Sequence, residues 1–322
     1  MADIYMHKRL AHEFVRAYPT LKEDYVLCGS QGPDPYYYMV FSNQFTQARQ
    51  IGDRLHDTNI NTSFNAMINY VKTHYSDELY SYLVGYILHF VLDVNVHPYV
   101  YYHVGKYHKT KQKTAPMRGL HLRFERRIDA CLIQEDTKKK PHAYKLEQAL
   151  PFKHLPNSVA SMMEHVVYET LDIARAGRLF QMSYRSMRRV IKRLVNDRFG
   201  FKLPILKMLD WFNRDRALFF RDMTFRKLSL DDFDYLNRDH RTWHHPITNA
   251  PSHKSVDDLY LDAYLEAEHI VKEVNRYLFD DEPIDFNALF KNRSFNSAMD
   301  ADDERTMKYF HLFTDQMRDF TL

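Results

Sequence analysis

The chain has 322 residues, 45% hydrophobic and 15% aromatic, with a formal net charge of only +3. That balance excludes a disordered chain and leaves enough apolar mass for one large core, or a core domain with an appendage. Glycines number only 8, β-branched runs are short, and apolar residues recur at three-and-four spacing, so the expected fold class is all-α, a multi-helical bundle.

In chain order, the pattern predicts a first helix over about 4–18, ended by Tyr18-Pro19, and then an irregular loop, "CGSQGPDPYYY", in which Asp34 is held between two prolines. Helical pattern resumes near Gln44, breaks at "HDTN", and returns over Ser63 to Thr73 and Asp77 to Val96. Pro98 disfavours a helical His97, so this helix is expected to release its chain there. A basic surface loop follows over 101–116, then a helix over 117–135, a long amphipathic stretch over 157–197, and helices near 204–221, 255–279 and 302–319. These elements divide into a helical domain over 1–200 and a C-terminal helical extension over 201–322 packed on it. Cys28 and Cys131 lack C-x-x-C spacing, and "MADIYMHKRLAHEF" has no signal-peptide core. Both point to a reducing, cytoplasmic setting.

Within "YLVGYILHFVLDVNVHPYV", His89, Asp93 and His97 recur every four residues, which lines them along one stripe of a helix otherwise covered by Leu83, Ile87, Phe90, Val91 and Val94. A membrane span is rejected, because an aspartate and two histidines at its middle are costly in lipid and no second span accompanies it. What remains is a buried hydrogen-bonded stripe or a metal site. Eight helical residues cover about 12 Å, too far for His89 and His97 to share one ion at ~2 Å bonds. Asp93 lies between them, and a carboxylate can bridge two ions about 3.5 to 4 Å apart.

A second pair, His121 and Glu125 in "HLRFE", also lies four apart and could grip one ion from a single helical turn, although a surface pair has the same spacing. His7 and His56 read alone as helix-terminal histidines, and Asp34 as a turn former. The clusters Lys106, Lys109, Lys111, Lys113, Arg118, Arg123, Arg126, Arg127 and Arg185, Arg188, Arg189, Lys192, Arg193 read as solvated helix faces, with an anionic substrate or surface as the alternative. The run "PYYYMVF" reads as core, with a lipid-headgroup pocket or base stacking as alternatives.

Taken together, a His, a "GPD" loop, a second His, then Gly85, His89, Asp93, His97 and Pro98 in "G-x-x-x-H-x-x-x-D-x-x-x-H-P", then His121 and Glu125 in "H-x-x-x-E", resemble the zinc-dependent phospholipase C family. The motifs cover residues 1 to about 130 and, more loosely, the remainder with its "RTWHHP". The resemblance implies an all-helical fold holding zinc, with Asp34, His56, His89 and Asp93 as ligands of one ion and His97, His121 and Glu125 as ligands of another. His7 matches the ligand of a third ion shared with Asp93, and His12 is the alternative. Secreted members open on a tryptophan that helps to bind the third zinc, whereas Met1 stands here with no Trp near it, so the expected load is two ions. The implied activity is phosphodiester hydrolysis, in which zinc-bound hydroxide attacks the phosphorus of a phospholipid or related phosphoester and Asp34 orients or deprotonates the water. Phospholipid is then the expected partner, with peripheral membrane contact. A nuclease or nucleotide phosphohydrolase, to which the "HD" of His56 and Asp57 also points, and a non-catalytic zinc-stabilised binding protein are the competing classes.

Overall fold

The computed structural model describes residues 4–108, 110–195, 197, 201–212, 219–225 and 233–313. Its architecture is all-α, arranged around one central helix. The chain opens with α1 (Ile4–Ala17) and α2 (Glu23–Gly29), then a 3-10 turn over Asp34–Tyr38, α3 (Phe45–Asp57) and α4 (Ile60–Thr73). The long α5 (Asp77–Val104) follows, then α6 (Leu120–Thr137), α7 (Asn157–Leu171), α8 (Ala176–Val190), α9 (Lys202–Phe212), α10 (Val256–Phe279) and α11 (Phe286–Phe290). Strands β1 (Trp243–His244) and β2 (Pro251–Ser252) form one small antiparallel hairpin.

Helix α5 begins at Ser76, whose hydroxyl accepts the Leu79 N–H at 3.2 Å, with Asp77 and Glu78 favourably placed in the first turn. It stops at Gly105, where φ is +66°. By composition it could cross a membrane, but 89% of its most apolar window is buried inside the molecule, as befits a core helix. Here the structure corrects the expected break at Pro98: the helix runs six residues further, to Val104. Proline forfeits one backbone bond and costs about 3 kcal/mol in a helix interior. Burial of Tyr99, Val100 and Val104 on the same helix offsets that loss.

Four further expectations are corrected. The loop read as irregular from Cys28 begins inside α2, which the sequence pattern missed, and Asp34–Tyr38 takes 3-10 form. The long amphipathic stretch is two helices, split where Asp172 and Arg175 turn left-handed and Glu164 accepts the N–H groups of Arg175 and Gly177. Residues 302–312 are not helical, and 314–322 lie outside the described residues. Arg126 and Arg127 are buried rather than on a solvated face, set over the rings of Phe225 and Tyr235. Lys109 lies outside the described residues.

Two helices pack on α5 in ways that matter for the site. Gly29 of α2 and Gly85 of α5 meet backbone to backbone: a Cβ on Gly85 would stand 2.2 Å from the Val26 carbonyl oxygen. On another side, α10 runs antiparallel to α5, tied by Tyr80 to Asn275 at 2.6 Å and by Asn95 to Glu266 at 2.9 Å. Gly85→Ala is therefore expected to lower stability by about 1–3 kcal/mol, the cost of overpacking, because the usual helical gain of ~1 kcal/mol from Gly to Ala is outweighed by a clash that only backbone movement can relieve. A denaturant titration showing equal or greater stability would contradict this close crossing.

Candidate metal centre

The structure draws eight sequence-predicted residues from separate elements into one buried cluster. His7 comes from α1, Asp34 from the 3-10 turn, His56 from the last turn of α3, His89, Asp93 and His97 from α5, and His121 and Glu125 from α6. Three groups have donor atoms within 4.8 Å of one another: His7, His89 and Asp93; Asp34, His56 and His89; His97, His121 and Glu125. His12, the alternative to His7, lies apart at the surface, where its Nδ1 meets Glu23 at 2.7 Å.

Asp93 is the hub. Its Oδ1 faces His7 Nε2 at 3.3 Å and His97 Nε2 at 3.7 Å, while its Oδ2 faces His89 Nε2 at 3.3 Å and His56 Nε2 at 3.9 Å. Asp34 Oδ1 completes one end, 3.2 Å from His56 Nε2 and 3.9 Å from His89 Nε2. Glu125 Oε1 completes the other, 3.0 Å from His121 Nε2 and 3.4 Å from His97 Nε2. The two ends differ in access. The His121 side chain is 28% exposed, whereas those of His89, Asp93 and His97 are wholly enclosed.

The far ring nitrogens are tied to backbone carbonyls. His56 Nδ1 donates to Gly52 O at 2.7 Å, His89 Nδ1 to Ser30 O at 3.1 Å, and His97 Nδ1 to Phe295 O at 2.6 Å. A carbonyl can only accept, so each Nδ1 carries the proton, and in the neutral ring Nε2 is left as a lone pair. Those lone pairs point at carboxylate oxygens, acceptor against acceptor, and Nε2 of His89 and of His97 has no hydrogen-bond partner among the described residues. Burial pushes the His89 and His97 imidazoles down to about 3 against the pull of Asp93, so both are neutral at pH 7. His56 is shifted upward: burial opposes its charge, but Asp34 and then Asp93 outweigh it. A nitrogen–oxygen donor set with its outer nitrogens fixed by carbonyls fits zinc, because a cation between the facing lone pairs turns repulsion into attraction.

The expected release of the chain at Pro98 would have carried His97 off the helix. Instead His97 stays on its helix, and α6 comes to it, placing the His97 and His121 rings 5.5 Å apart. Several positioning groups carried no sequence motif. Phe295 supplies the carbonyl that fixes His97 and lays its ring 5.1 Å from His56. Its segment is held by His245 of "RTWHHP", whose Nε2 contacts Ser297 O at 3.0 Å. Asp57 turns away from the cluster to accept from Ser294 and Asn296, so "HD" is not a pair of adjacent ligands. Asp129 accepts the N–H groups of Tyr5 and Met6 at 2.8 and 3.0 Å, anchoring the start of the helix that carries His7. Its place four residues after Glu125, on the same helix face, was the available signal. Of "PYYYMVF", Tyr36, Tyr38, Met39 and Val40 are core, Tyr37 reaches His56 at 3.2 Å, and Phe41 points outward.

An all-helical fold whose helices converge on a buried histidine–carboxylate cluster defines a metal-binding helical protein. Residues 6–195 match the family model described as zinc dependent phospholipase C, and the chain belongs to that family. Comparison with curated proteins and with solved structures gave no match.

Proposed function

We propose that the cluster holds two zinc ions and hydrolyses a phosphodiester, with phospholipid as the substrate class. The observation that carries this reading is the division of Asp93, whose two carboxylate oxygens each face a different pair of histidine nitrogens. Asp34, His56, His89 and Asp93 would hold one ion, and His97, His121 and Glu125 the other, with His7 and Asp93 offering a third position. Zinc bound there would supply Lewis-acid chemistry, lowering the pKa of a coordinated water toward ~7 and offsetting charge on phosphoryl oxygens. The protein's own residues do the rest. Asp34 is placed to take the proton of the attacking water, His121 lies at the accessible edge where a phosphoester can enter, and the enclosed His89, Asp93 and His97 keep bulk water out of the interior. Water adds to phosphorus and the bond to the alcohol breaks, giving diacylglycerol and a phosphomonoester from a phospholipid.

Purified protein never exposed to chelator is expected to carry about two zinc ions, and a strong chelator to lower its melting temperature, since metal that binds only the folded chain at 1,000-fold over Kd adds about 4 kcal/mol. Elemental analysis finding no transition metal would sink the proposal. Zinc-loaded protein is then offered phosphatidylcholine, bis-nitrophenyl phosphate and single-stranded DNA. Cleavage of the first two supports the reading, and cleavage of DNA with neither lipid nor model diester turned over overturns it.

A further inference from the structure

Helix α9 is apolar on both sides. Leu206 is buried and Asp210 pins the helix to the following 3-10 turn (Phe220–Met223), its carboxylate accepting the N–H groups of Phe220 and Arg221. On the opposite side Ile205, Met208 and Trp211 are 57%, 53% and 62% exposed, and Phe201, just before the helix, is 77% exposed. At about 100° per residue these four positions fall within an arc of about 120°, so they form one patch rather than scattered exceptions. Lys202 and Lys207 flank that arc on either side. Such placement lets long stems lie along an apolar surface while the ammonium groups reach phosphate.

A further exposed apolar residue lies across the 3-10 turn that follows the helix. Phe41, 66% exposed, stacks on Phe220 at 5.7 Å, the residue whose N–H Asp210 holds. Next to Phe41 lies a groove of about 590 Å³ lined by Met39, Met182, Arg185, Arg189 and Arg193 among others, the three arginines spaced four apart on one exposed face. Arg118 and Arg221 sit over the Phe219 ring on the other flank. Among the described residues, Lys202, Lys207 and the arginines named above stand around these aromatic and aliphatic side chains.

We infer that this surface, Phe41 with the outer face of α9 and its basic rim, docks the protein on an anionic phospholipid bilayer. Ile205 and Met208 offer nothing for a nucleobase to stack on, and a second copy would bring two basic rims together, whereas an anionic interface satisfies both the apolar centre and the cationic edge. The inference rests on the phospholipid reading for its purpose. The α9 region contacts the helix that carries part of the cluster: Asp222, in the 3-10 turn that Asp210 holds, pairs at 3.2 Å with Arg123 of α6, the helix of His121 and Glu125.

The chain carries its own reporter, because it has 2 tryptophans and only Trp211 is exposed, Trp243 being 6% exposed. Vesicles of phosphatidylcholine with about 30 mol% phosphatidylserine are expected to shift the emission to the blue and brominated acyl chains to quench it, the effect weakening with added salt and with pure phosphatidylcholine. Trp211→Phe should lose the signal while still sedimenting with vesicles. The double variant Ile205→Glu, Met208→Glu, checked by circular dichroism, should bind vesicles about 10-fold or more weakly, yet cleave the soluble bis-nitrophenyl phosphate at the parent rate. Parent protein that shows no shift and no sedimentation overturns the inference, as does a double variant that binds vesicles equally well, dimerisation through this face in place of vesicle binding, or retention of single-stranded DNA instead. Vesicle binding by a protein that cleaves no phosphodiester leaves the docking surface standing and removes the catalytic reading alone.

Discussion

Asp93→Asn is expected to strip the cluster of metal and to lower phosphodiesterase activity by more than about 100-fold, the upper end for losing an outer-shell partner, since Asp93 would touch the ions directly. The argument is geometric. Each carboxylate oxygen faces two histidine nitrogens at 3.3 to 3.9 Å, Oδ2 on the side of His56 and His89 and Oδ1 on the side of His7 and His97. An amide keeps the shape but carries no charge, and one of its two ends becomes an N–H donor, which cannot replace a lone pair. Zinc content should drop below one ion per chain. Melting temperature gives an independent reading: the parent should lose stability in chelator, and the variant should melt at the same temperature with and without it. A variant that keeps two ions and its chelator response shows that Asp93 is not the bridge.

How much of this could be read from the residues varies with the interaction involved. The stripe of His89, Asp93 and His97 was legible because helical periodicity is local, and so was the pair His121 and Glu125. The all-helical class followed from the same periodicity. What stayed hidden depended on distant parts of the chain meeting. Nothing in the string announces that the Phe295 carbonyl orients His97 across 198 residues of sequence, or that Asp129 holds the start of α1 from 124 residues away. The Pro98 error has a similar cause: the local rule against proline is sound, but burial along α5 decides the outcome. Likewise α2 is hard to read because the 7 residues of "EDYVLCG" make only about two turns, too few for a periodic pattern to stand out, and its place is set instead by the glycine crossing with α5.

Asp34→Asn separates two roles that the structure leaves combined in one carboxylate. Asp34 sits between Pro33 and Pro35 on a 3-10 turn, its side chain 7% exposed and its Oδ1 at 3.2 Å from His56 Nε2 and 3.9 Å from His89 Nε2. An asparagine oxygen can occupy the Oδ1 position and still offer a lone pair toward a cation, and His56, His89 and Asp93 remain around it. Metal content is therefore expected to stay near the parent value. What the amide cannot do is accept a proton from water at neutral pH, because its basicity is far below that of a carboxylate. Turnover should then fall by about 100-fold or more with little change in KM, the pattern for a group that acts only as the reaction proceeds. Metal content and phosphodiesterase rate measured on the same preparation decide it. An Asp34→Asn variant with full turnover removes the proton-accepting role, and one that loses zinc as completely as Asp93→Asn shows that Asp34 serves to hold metal instead.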